Sequence, residues 1–311
     1  MLGAVALFAC LCVLAMIALV AQRAWPIFAH NGLSWLGSGG SLKAQIETML
    51  ATSAHPPASA FYFRAWPIIY GTLLITALAV LLALPLSVLS AVFIVELAPL
   101  RMRRVTVRVV RLLASVPSVV WGLIGILVLV PFFDNHIISP SERTSVEGTV
   151  QLTGAGLAPA VLVLAVMITP IMVALTCDAL GAVPPAWREG AAALGVNRMR
   201  AIRAVTLRAV RPAIVAATVL ATARALGEAI VISMVSGSNF FAPRPSDGLT
   251  FLFEPLRSLA STIVDYHEGT SAPALSAALY ACALLLLFSA FALSVGGYLI
   301  KLPMRKYQTR G

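Results

Sequence analysis

An arginine and a glutamate interrupt an apolar stretch in the C-terminal half of the chain. Arg224 and Glu228 lie in the sequence ARALGEAI, one helical turn apart, so a continuous helix would place them on one face, where they can pair. Because a lone charge at the middle of a bilayer costs about 2.5–3.5 kcal/mol, we expect both side chains to face the protein interior. The guanidinium would offer a fork of donors to a passing oxyanion, and the glutamate would keep that anion from binding too tightly. A structural salt bridge is the alternative.

A proline interrupts an earlier apolar stretch, ASVPSVVWGLIGILVLVPFF. Pro117 removes one helical hydrogen bond and frees a carbonyl, and Ser115 and Ser118 flank it with hydroxyl groups. A broken, polar patch inside a membrane span is tolerated only against protein or a water-filled cavity. The pattern therefore indicates either part of a substrate pathway or a packing kink.

Residues 184–211 form a long polar segment between two apolar stretches. The two prolines at its start suit the first turn of a helix, and the helix dipole favours Glu189 near that N-terminus. Gly195 is predicted to end this helix, and Asn197 is predicted to cap the next one. Between Glu189 and Gly195 lie four residues whose side chains are so small that a partner can approach the backbone closely: Gly190, Ala191, Ala192 and Ala193.

The helix after Asn197 is predicted to be amphipathic. One arc at helical spacing holds Met199, Ile202, Val205, Thr206, Ala209 and Val210, and the opposite arc holds Arg200, Arg203, Arg208 and Arg211. The result is a helix-turn-helix along a membrane surface, which suits docking of a soluble partner or anchoring among lipid headgroups. DNA binding is disfavoured because spans on both sides tether the two helices to the bilayer.

The same segment resembles the "EAA" loop of ABC-importer permeases, Glu-Ala-Ala-x3-Gly-x9-Ile-x-Leu-Pro. Three positions depart from that pattern, with Gly190 for the first alanine, Val205 for isoleucine and Arg208 for proline. In that family the loop forms the coupling helix, which seats in a cleft of the cytoplasmic ATPase. The resemblance assigns ATPase contact to Glu189, Gly190, Ala191, Ala192 and Gly195, and we call residues 184–211 the coupling loop.

Two further phrases are similar to the permeases of phosphate-specific importers. They are the Pro-Ser-Val-Val-Trp-Gly segment with the Leu-Val-Pro-Phe that follows, and Arg-Ala-Leu-Gly-Glu; the similarity extends from Ile69 to Ile300. PSVVWG, LVPFF and MVSGSN resemble the PstC type more than the paralogous PstA type. The intramembrane Arg and Glu of that family are implicated in phosphate passage, so the resemblance implies a pathway containing Arg224, Glu228, Ser115, Pro117 and Ser118.

The resemblance implies an all-α polytopic membrane protein with the fold of a type I ABC-importer transmembrane domain. The chain would form half of the pathway of a phosphate importer in the inner membrane of a prokaryote. Its partners would be a cytoplasmic ATPase dimer that binds ATP and Mg²⁺, a second permease and an extracytoplasmic phosphate-binding protein. No cofactor, metal ion or catalytic residue is expected in this chain, and no nucleic acid.

The composition suits a polytopic membrane protein, because 60% of the 311 residues are hydrophobic and 11% are charged. Apolar runs long enough to cross about 30 Å of hydrocarbon predict six spans. They are residues 3–22, 66–97, 108–132, 156–177, 212–236 and 273–300. The first run could be a signal peptide, but it lacks a basic start and is long, which favours a retained helix.

The basic residues predict the orientation. With a cytoplasmic N-terminus, most of the 22 lysines and arginines fall inside, and the positive-inside rule then places the coupling loop and both termini in the cytoplasm. The net charge of +10 thus reflects topology. The cytoplasmic set is Arg101, Arg103, Arg104, Arg108, Arg111, Arg188, Arg198, Arg200, Arg203, Arg208, Arg211, Lys301, Arg305, Lys306 and Arg310.

Residues 1–65 are expected to hold the first span and an outer loop with a short helix near Gln45 to Leu50, and residues 66–311 the permease domain. Near the start of the second span, Gly71 and Thr72 are available for close contact. At its end, Glu96 is expected to pair with the arginines that follow in VELAPLRMRR.

Other classes of protein remain as alternatives. A permease for another oxyanion, such as sulfate or molybdate, would keep the coupling loop, as would the paralogous phosphate permease. A secondary transporter would leave that loop unexplained and often shows inverted repeats, of which we find none convincing. A membrane-embedded enzyme needs converging titratable groups, whereas the four histidines fall in outer segments: His30, His55, His136 and His267.

Overall fold

The computed structural model describes residues 2–52, 56–146 and 151–305, and these residues are mostly helical. The helices are α1 (Leu2–Asn31), α2 (Leu42–Leu50), α3 (Trp66–Val92), α4 (Leu100–Ala114), α5 (Ser118–Ile124), α6 (Val130–Phe132), α7 (Pro140–Val146), α8 (Leu157–Gly181), α9 (Pro185–Ala193), α10 (Arg198–Ala201), α11 (Leu207–Leu226), α12 (Ile230–Val235), α13 (Leu259–Tyr266) and α14 (Pro273–Arg305). The predictions for His55, Lys306 and Arg310 fall outside the described residues.

Tighter and wider helical turns extend several of these helices. The 3₁₀ turns are Gly32–Leu36, Ala58–Phe61, Pro245–Leu252 and His267–Ser271, and the π turns are Phe93–Leu97, Gly125–Leu129, Phe133–Ile137 and Ile202–Thr206. Within the described residues, six helical stretches are long and apolar enough to cross a membrane, which confirms the predicted number. They are Gly3–Leu36, Ala58–Leu97, Ser118–Ile137, Leu157–Gly181, Arg198–Leu226 and Pro273–Leu302.

Two predicted spans are each divided by a break in the helix. The run 108–132 is divided, because α4 ends at Ala114 and the membrane-length stretch begins only at Ser118. The run 212–236 is divided as well, because α11 ends at Leu226 and a separate helix follows. In both places the apolar composition continues across a proline or glycine that ends the helix, so hydropathy alone could not locate the break.

One compact unit comprises Met1–Ile75, Gly122–Ala160 and Gly227–Ser289. Its main core joins side chains of α1, α2, the start of α3, α13 and α14. The predicted helix near Gln45 to Leu50 is present as α2. The predicted loop from residue 23 is wrong over its first part, because α1 continues to Asn31 and buries Ala24 and Ile27 in this core.

The side chain of Asn31 joins the end of α1 to the segment before α3 through hydrogen bonds. Its Nδ2 donates to the carbonyl oxygens of Ile27 at 2.9 Å and Phe61 at 2.7 Å, and its Oδ1 accepts from the N–H of Phe63 at 3.2 Å. The side chain is buried, so these bonds satisfy polar groups that water does not reach.

The other compact unit comprises Thr76–Trp121, Val161–Leu226 and Ala290–Gly311. Its core joins the C-terminal end of α3 to α8 and to the first turns of α11, through side chains such as Ile94, Leu180 and Val210. On α14, a Cβ atom at Gly297 would lie 2.6 Å from Val219 Cγ2, so this glycine permits close packing on α11.

Gly71 and Thr72 make the predicted close contact, and their partner is the segment that leads into α13. A Cβ atom at Gly71 would overlap the carbonyl oxygen of Arg257. Thr72 Oγ1 accepts from the N–H of Leu259 at 2.8 Å and donates to the carbonyl of Ile68 at 2.6 Å.

We predict that Gly71→Ala destabilises the protein by about 1–3 kcal/mol, since the new methyl group overlaps a backbone oxygen that has little freedom to move. The matched control is Gly296→Ala in α14, where a Cβ atom would meet nothing within 4 Å and alanine favours the helix. Thermal unfolding in detergent should give a lower Tm for Gly71→Ala only. An unchanged Tm for that variant would contradict the tight contact.

Candidate functional site

The coupling loop forms the predicted helix, break and second helix. Pro185 occupies the first position of α9, and Pro184 precedes it in an extended conformation. Gly195 has a φ of +70°, which favours glycine because other side chains are strained there. Asn197 then caps α10, since its Oδ1 accepts from the N–H of Met199 at 3.0 Å.

The outer side of α9 is open. Glu189, Gly190, Ala192 and Gly195 are exposed, and Ala191 is half-buried. A Cβ atom at either glycine would meet no atom within 4 Å. Leu194, at the C-terminal end, is 84% exposed. An exposed helix of small residues beside a large apolar side chain has the form of a surface that another molecule covers.

The second helix has the predicted two faces, with one modification. Of the predicted apolar arc, Ile202, Thr206 and Val210 are buried, whereas Met199 is exposed. The π turn Ile202–Thr206 lies between α10 and α11 and shifts the helical register there. The opposite arc is exposed as predicted: Arg200, Arg203, Arg208 and Arg211. Three of these arginines line an open depression of about 480 Å³ together with Asn197, Met199 and Ala204.

A buried glutamate holds the coupling loop to the rest of its compact unit. Glu96 is 8% exposed, and its Oε1 lies 3.0 Å from Arg188 Nη2 of α9. The same nitrogen donates to the carbonyl of Leu180 at 3.0 Å, and Arg198 donates to the carbonyl of Glu96. The prediction that Glu96 pairs with the arginines directly after it is therefore wrong. Its partner comes from a distant part of the chain, and no spacing rule indicates such a pair.

The break at Pro117 is present but lies at the start of a span rather than inside one. α4 ends at Ala114, and Ser115 Oγ donates to the carbonyl of Leu112 at 2.7 Å. The carbonyl of Pro117 accepts from the N–H of Val120 at 3.1 Å as α5 begins. Of the three residues predicted here, Ser115 and Pro117 are exposed and Ser118 is half-buried.

Arg224 and Glu228 do not share one helix. The helix that carries Arg224 ends at Leu226, and Glu228 lies in a non-helical break before α12. The prediction that they occupy one helical face is therefore wrong, because Gly227 interrupts the helix between them. Glu228 is buried, and its Oε1 accepts from the N–H of Val231 at 3.2 Å, while Arg224 is exposed.

Sequence reasoning missed a buried arginine before α13. Arg257 is 7% exposed, and its Nη2 lies 3.1 Å from Asp265 Oδ2. Its guanidinium lies over the rings of Phe240 at 4.5 Å and Tyr266 at 5.1 Å. Ser233 Oγ donates to the other carboxylate oxygen of Asp265 at 2.5 Å. In the sequence Arg257 lies in the mostly apolar segment FLFEPLRSLA, and no motif there indicates its partners.

A second buried charge lies three residues earlier. Glu254 is 1% exposed and accepts from the N–H of Arg244 at 3.0 Å. Burial raises the pKa of the Glu254 carboxyl above the ordinary value of glutamate, and the hydrogen bond from Arg244 opposes that rise. Among the described residues, no three His, Cys, Asp or Glu side chains cluster as metal ligands.

Known proteins resemble this chain in sequence and in fold. Residues 83–299 match the family described as "Binding-protein-dependent transport system inner membrane component". The probable ABC transporter permease protein YqgH of Bacillus subtilis is 36% identical over 231 residues, which cover 74% of this chain and 70% of that protein. The phosphate transport system permease protein PstC 1 of Mycobacterium bovis is 37% identical over 230 residues, which cover 72% of this chain and 66% of that protein.

A solved structure of the MetNI methionine ABC transporter, in an inward-facing conformation, has a similar fold. The TM-score is 0.52 at 18% identity, and the match covers 76% of this chain and 93% of the other. At this identity the likeness concerns the fold alone. The chain therefore belongs to the family of binding-protein-dependent transport system inner membrane components and has the helical fold of a type I ABC-importer permease.

Proposed function

We propose that this chain is a permease subunit of an ATP-driven importer of inorganic phosphate and forms half of its translocation pathway. The observation that carries the proposal is the 37% identity, over 72% of the chain, to a permease named for phosphate transport. Two sequence segments also support the proposal, because both resemble the permeases of phosphate importers. One contains Arg224 and Glu228, and the other contains Pro117.

In the proposed assembly, this chain works with a second permease, a dimer of cytoplasmic ATPases and an extracytoplasmic phosphate-binding protein. ATP and Mg²⁺ bind to the ATPases, so this chain performs no covalent chemistry. Both termini and the coupling loop lie in the cytoplasm, as the positive-inside rule favours. Closure of the ATPases moves the coupling loop, and the permease opens alternately to the two sides of the membrane.

The proposed pathway contains the residues at the two helix breaks. Peptide groups freed by a break need protein or a water-filled cavity beside them when they lie at membrane depth. This requirement applies to the break at Glu228, whereas the assignment of Ser115, Pro117 and Ser118 to the pathway rests on the resemblance of their segment to phosphate-importer permeases. Arg224 supplies the cationic fork for the phosphate oxygens, and Glu228, held by the amide of Val231, limits how tightly the anion is retained.

The proposal is tested by purification from detergent with identification of the chains that accompany this one, followed by transport assays in vesicles. An ATPase and a second permease should co-purify, and uptake of phosphate should require ATP. Uptake of sulfate or molybdate in place of phosphate would assign another oxyanion. Equal uptake without the ATPase would show a secondary transporter.

We predict that Arg224→Gln lowers ATP-dependent phosphate uptake by about two orders of magnitude, because the charged, hydrogen-bonding fork is lost. Arg224→Lys keeps the charge without the fork and should give an intermediate rate. Co-purification of the other subunits should not change in either variant. Normal phosphate uptake by Arg224→Gln with intact assembly would contradict a role of Arg224 in the pathway and indicate a structural role.

We predict that Ala191→Glu separates the ATPase from the permease, since a carboxylate on the small-residue surface of α9 prevents close approach of a partner. The matched control is Ala191→Ser, which keeps a small, uncharged side chain at the same position of α9. The amount of co-purifying ATPase should fall several-fold for Ala191→Glu alone. Equal ATPase binding and equal transport by both variants would contradict the assignment of α9 as the docking site of the ATPase.

We predict that Glu96→Gln loosens the coupling loop, because Arg188 loses its ionic partner at a largely buried site. Backbone amides of α9 should then exchange hydrogen faster by about tenfold, while amides of α2, which lies in the other compact unit, should exchange as before. Transport should fall relative to ATP hydrolysis. Unchanged exchange in α9 would show that the ion pair does not hold the loop.

A further inference from the structure

The helix α4 differs from the membrane-length helices on either side of it. It has 15 residues and begins after Pro99, which is extended, and it ends at the break before Pro117. None of its residues is buried, although nine of them are apolar. A helix of this length spans about 22 Å, which is less than the roughly 30 Å of hydrocarbon that a span must cross.

The helix has three faces. The inner face packs on the core of its compact unit through Val107 and Val110. The apolar flank is exposed and consists of Met102, Val105, Val109, Leu112 and Leu113. The basic flank is exposed on the other side and consists of Arg101, Arg104, Arg108 and Arg111.

The basic flank carries charge that the described residues do not neutralise. Arg111 Nη2 lies 2.8 Å from Asp178 Oδ1 of α8, and both side chains are well exposed. None of the ion pairs among the described residues involves Arg101, Arg104 or Arg108. Three guanidinium groups in the hydrocarbon would be very costly, so α4 cannot continue the span that begins at Ser118.

The chain order restricts where α4 can lie. One membrane-length stretch ends at Leu97 and the next begins at Ser118, so both ends of α4 meet the same membrane surface. An amphipathic helix at a bilayer surface places apolar side chains about 5–10 Å into the boundary and keeps arginines among the headgroups. Arginines near an anionic surface add about 1 kcal/mol of attraction each.

We propose that α4 lies in the plane of the membrane, with its apolar flank among the acyl chains and its basic flank on the phosphate groups of anionic lipids. The proposal rests on the proposed function only for the side of the membrane, which is cytoplasmic. Val107, Val110 and Arg111 join α4 to α8, whose C-terminal end leads into the coupling loop. The lipid surface thereby supports the helix from which that loop begins.

The depth of α4 is measured with nitroxide labels on the complete complex in nanodiscs of phosphatidylglycerol and phosphatidylcholine. The exposed native cysteines, Cys10 and Cys12, are replaced by serine, and single cysteines are placed at Val105, Arg104 and Leu127. Leu127 is the reference for a span, because it is exposed within Ser118–Ile137. Collisions with oxygen and with a water-soluble nickel chelate then give the depth of each label.

The proposal predicts three different depths: Val105 just below the phosphate groups, Arg104 at or above them, and Leu127 deeper than both. If the Val105 label meets nickel as readily as the Arg104 label, the flank is in water. If it is as deep as Leu127, α4 crosses the membrane. If it is shielded from both oxygen and nickel, a protein covers the flank. Each of these three results overturns the proposal, and none depends on phosphate transport.

The role of the basic flank is tested by fluorescence of a label at Val105, quenched by nitroxide-bearing phosphatidylglycerol or phosphatidylcholine. Quenching should favour phosphatidylglycerol, and this preference should fall by about fivefold for each arginine removed in Arg101→Gln, Arg104→Gln and Arg108→Gln. The matched control removes equal charge on the other side of the membrane, at the exposed residues Arg23, Lys43 and Arg244, and should leave the preference unchanged. No preference in the unaltered protein, or an equal loss in both sets, would overturn the anionic-lipid contact.

Discussion

Peptide groups in the hydrocarbon layer find no water to hydrogen-bond, and this constraint governs where a membrane-spanning chain can leave helical geometry. The described chain leaves it next to apolar spans at residues 115–117 and 227–229. At both places a polar side chain takes part in the local hydrogen bonding: Ser115 donates to the carbonyl of Leu112, and Glu228 accepts from the amide of Val231. Four residues assigned to the proposed phosphate pathway therefore lie at or beside an interruption, namely Ser115, Pro117, Ser118 and Glu228, and Arg224 lies in the last turn of α11.

In the proposed function, the coupling loop presents a short helix to the ATPase and must also hold its own position. A helix of nine residues is not stable by itself in water, so tertiary contacts must hold α9. The contacts of Arg188 with Glu96 and with the carbonyl of Leu180 serve this purpose. The small residues of α9 meanwhile stay free for the proposed ATPase. Anchoring and docking thus use different side chains of one short helix.

The local features of the coupling loop could be predicted well because each depends on a residue and its nearest neighbours. Pro185 begins a helix, Gly195 ends one with a positive φ, and Asn197 caps the next through its own side chain. The helical boundaries were less predictable, since the predominantly apolar sequence continues on both sides of Gly227. The spacing of Arg224 and Glu228 suggested an ion pair. The same spacing is compatible with a Glu228 carboxylate that accepts a hydrogen bond from the nearby Val231 amide, so spacing alone does not distinguish the two.

Motifs that resemble those of ABC-importer permeases indicated the family and the position of the coupling loop. Composition, the periodicity of apolar residues and the distribution of arginines determine a six-span helical membrane protein. These properties follow from transfer free energies and local backbone preferences, which each residue carries with it. The partner of Glu96 and the burial of Arg257 against two aromatic rings were decided only by the tertiary structure. Such contacts join residues far apart in the chain, and their geometry arises only when the helices pack.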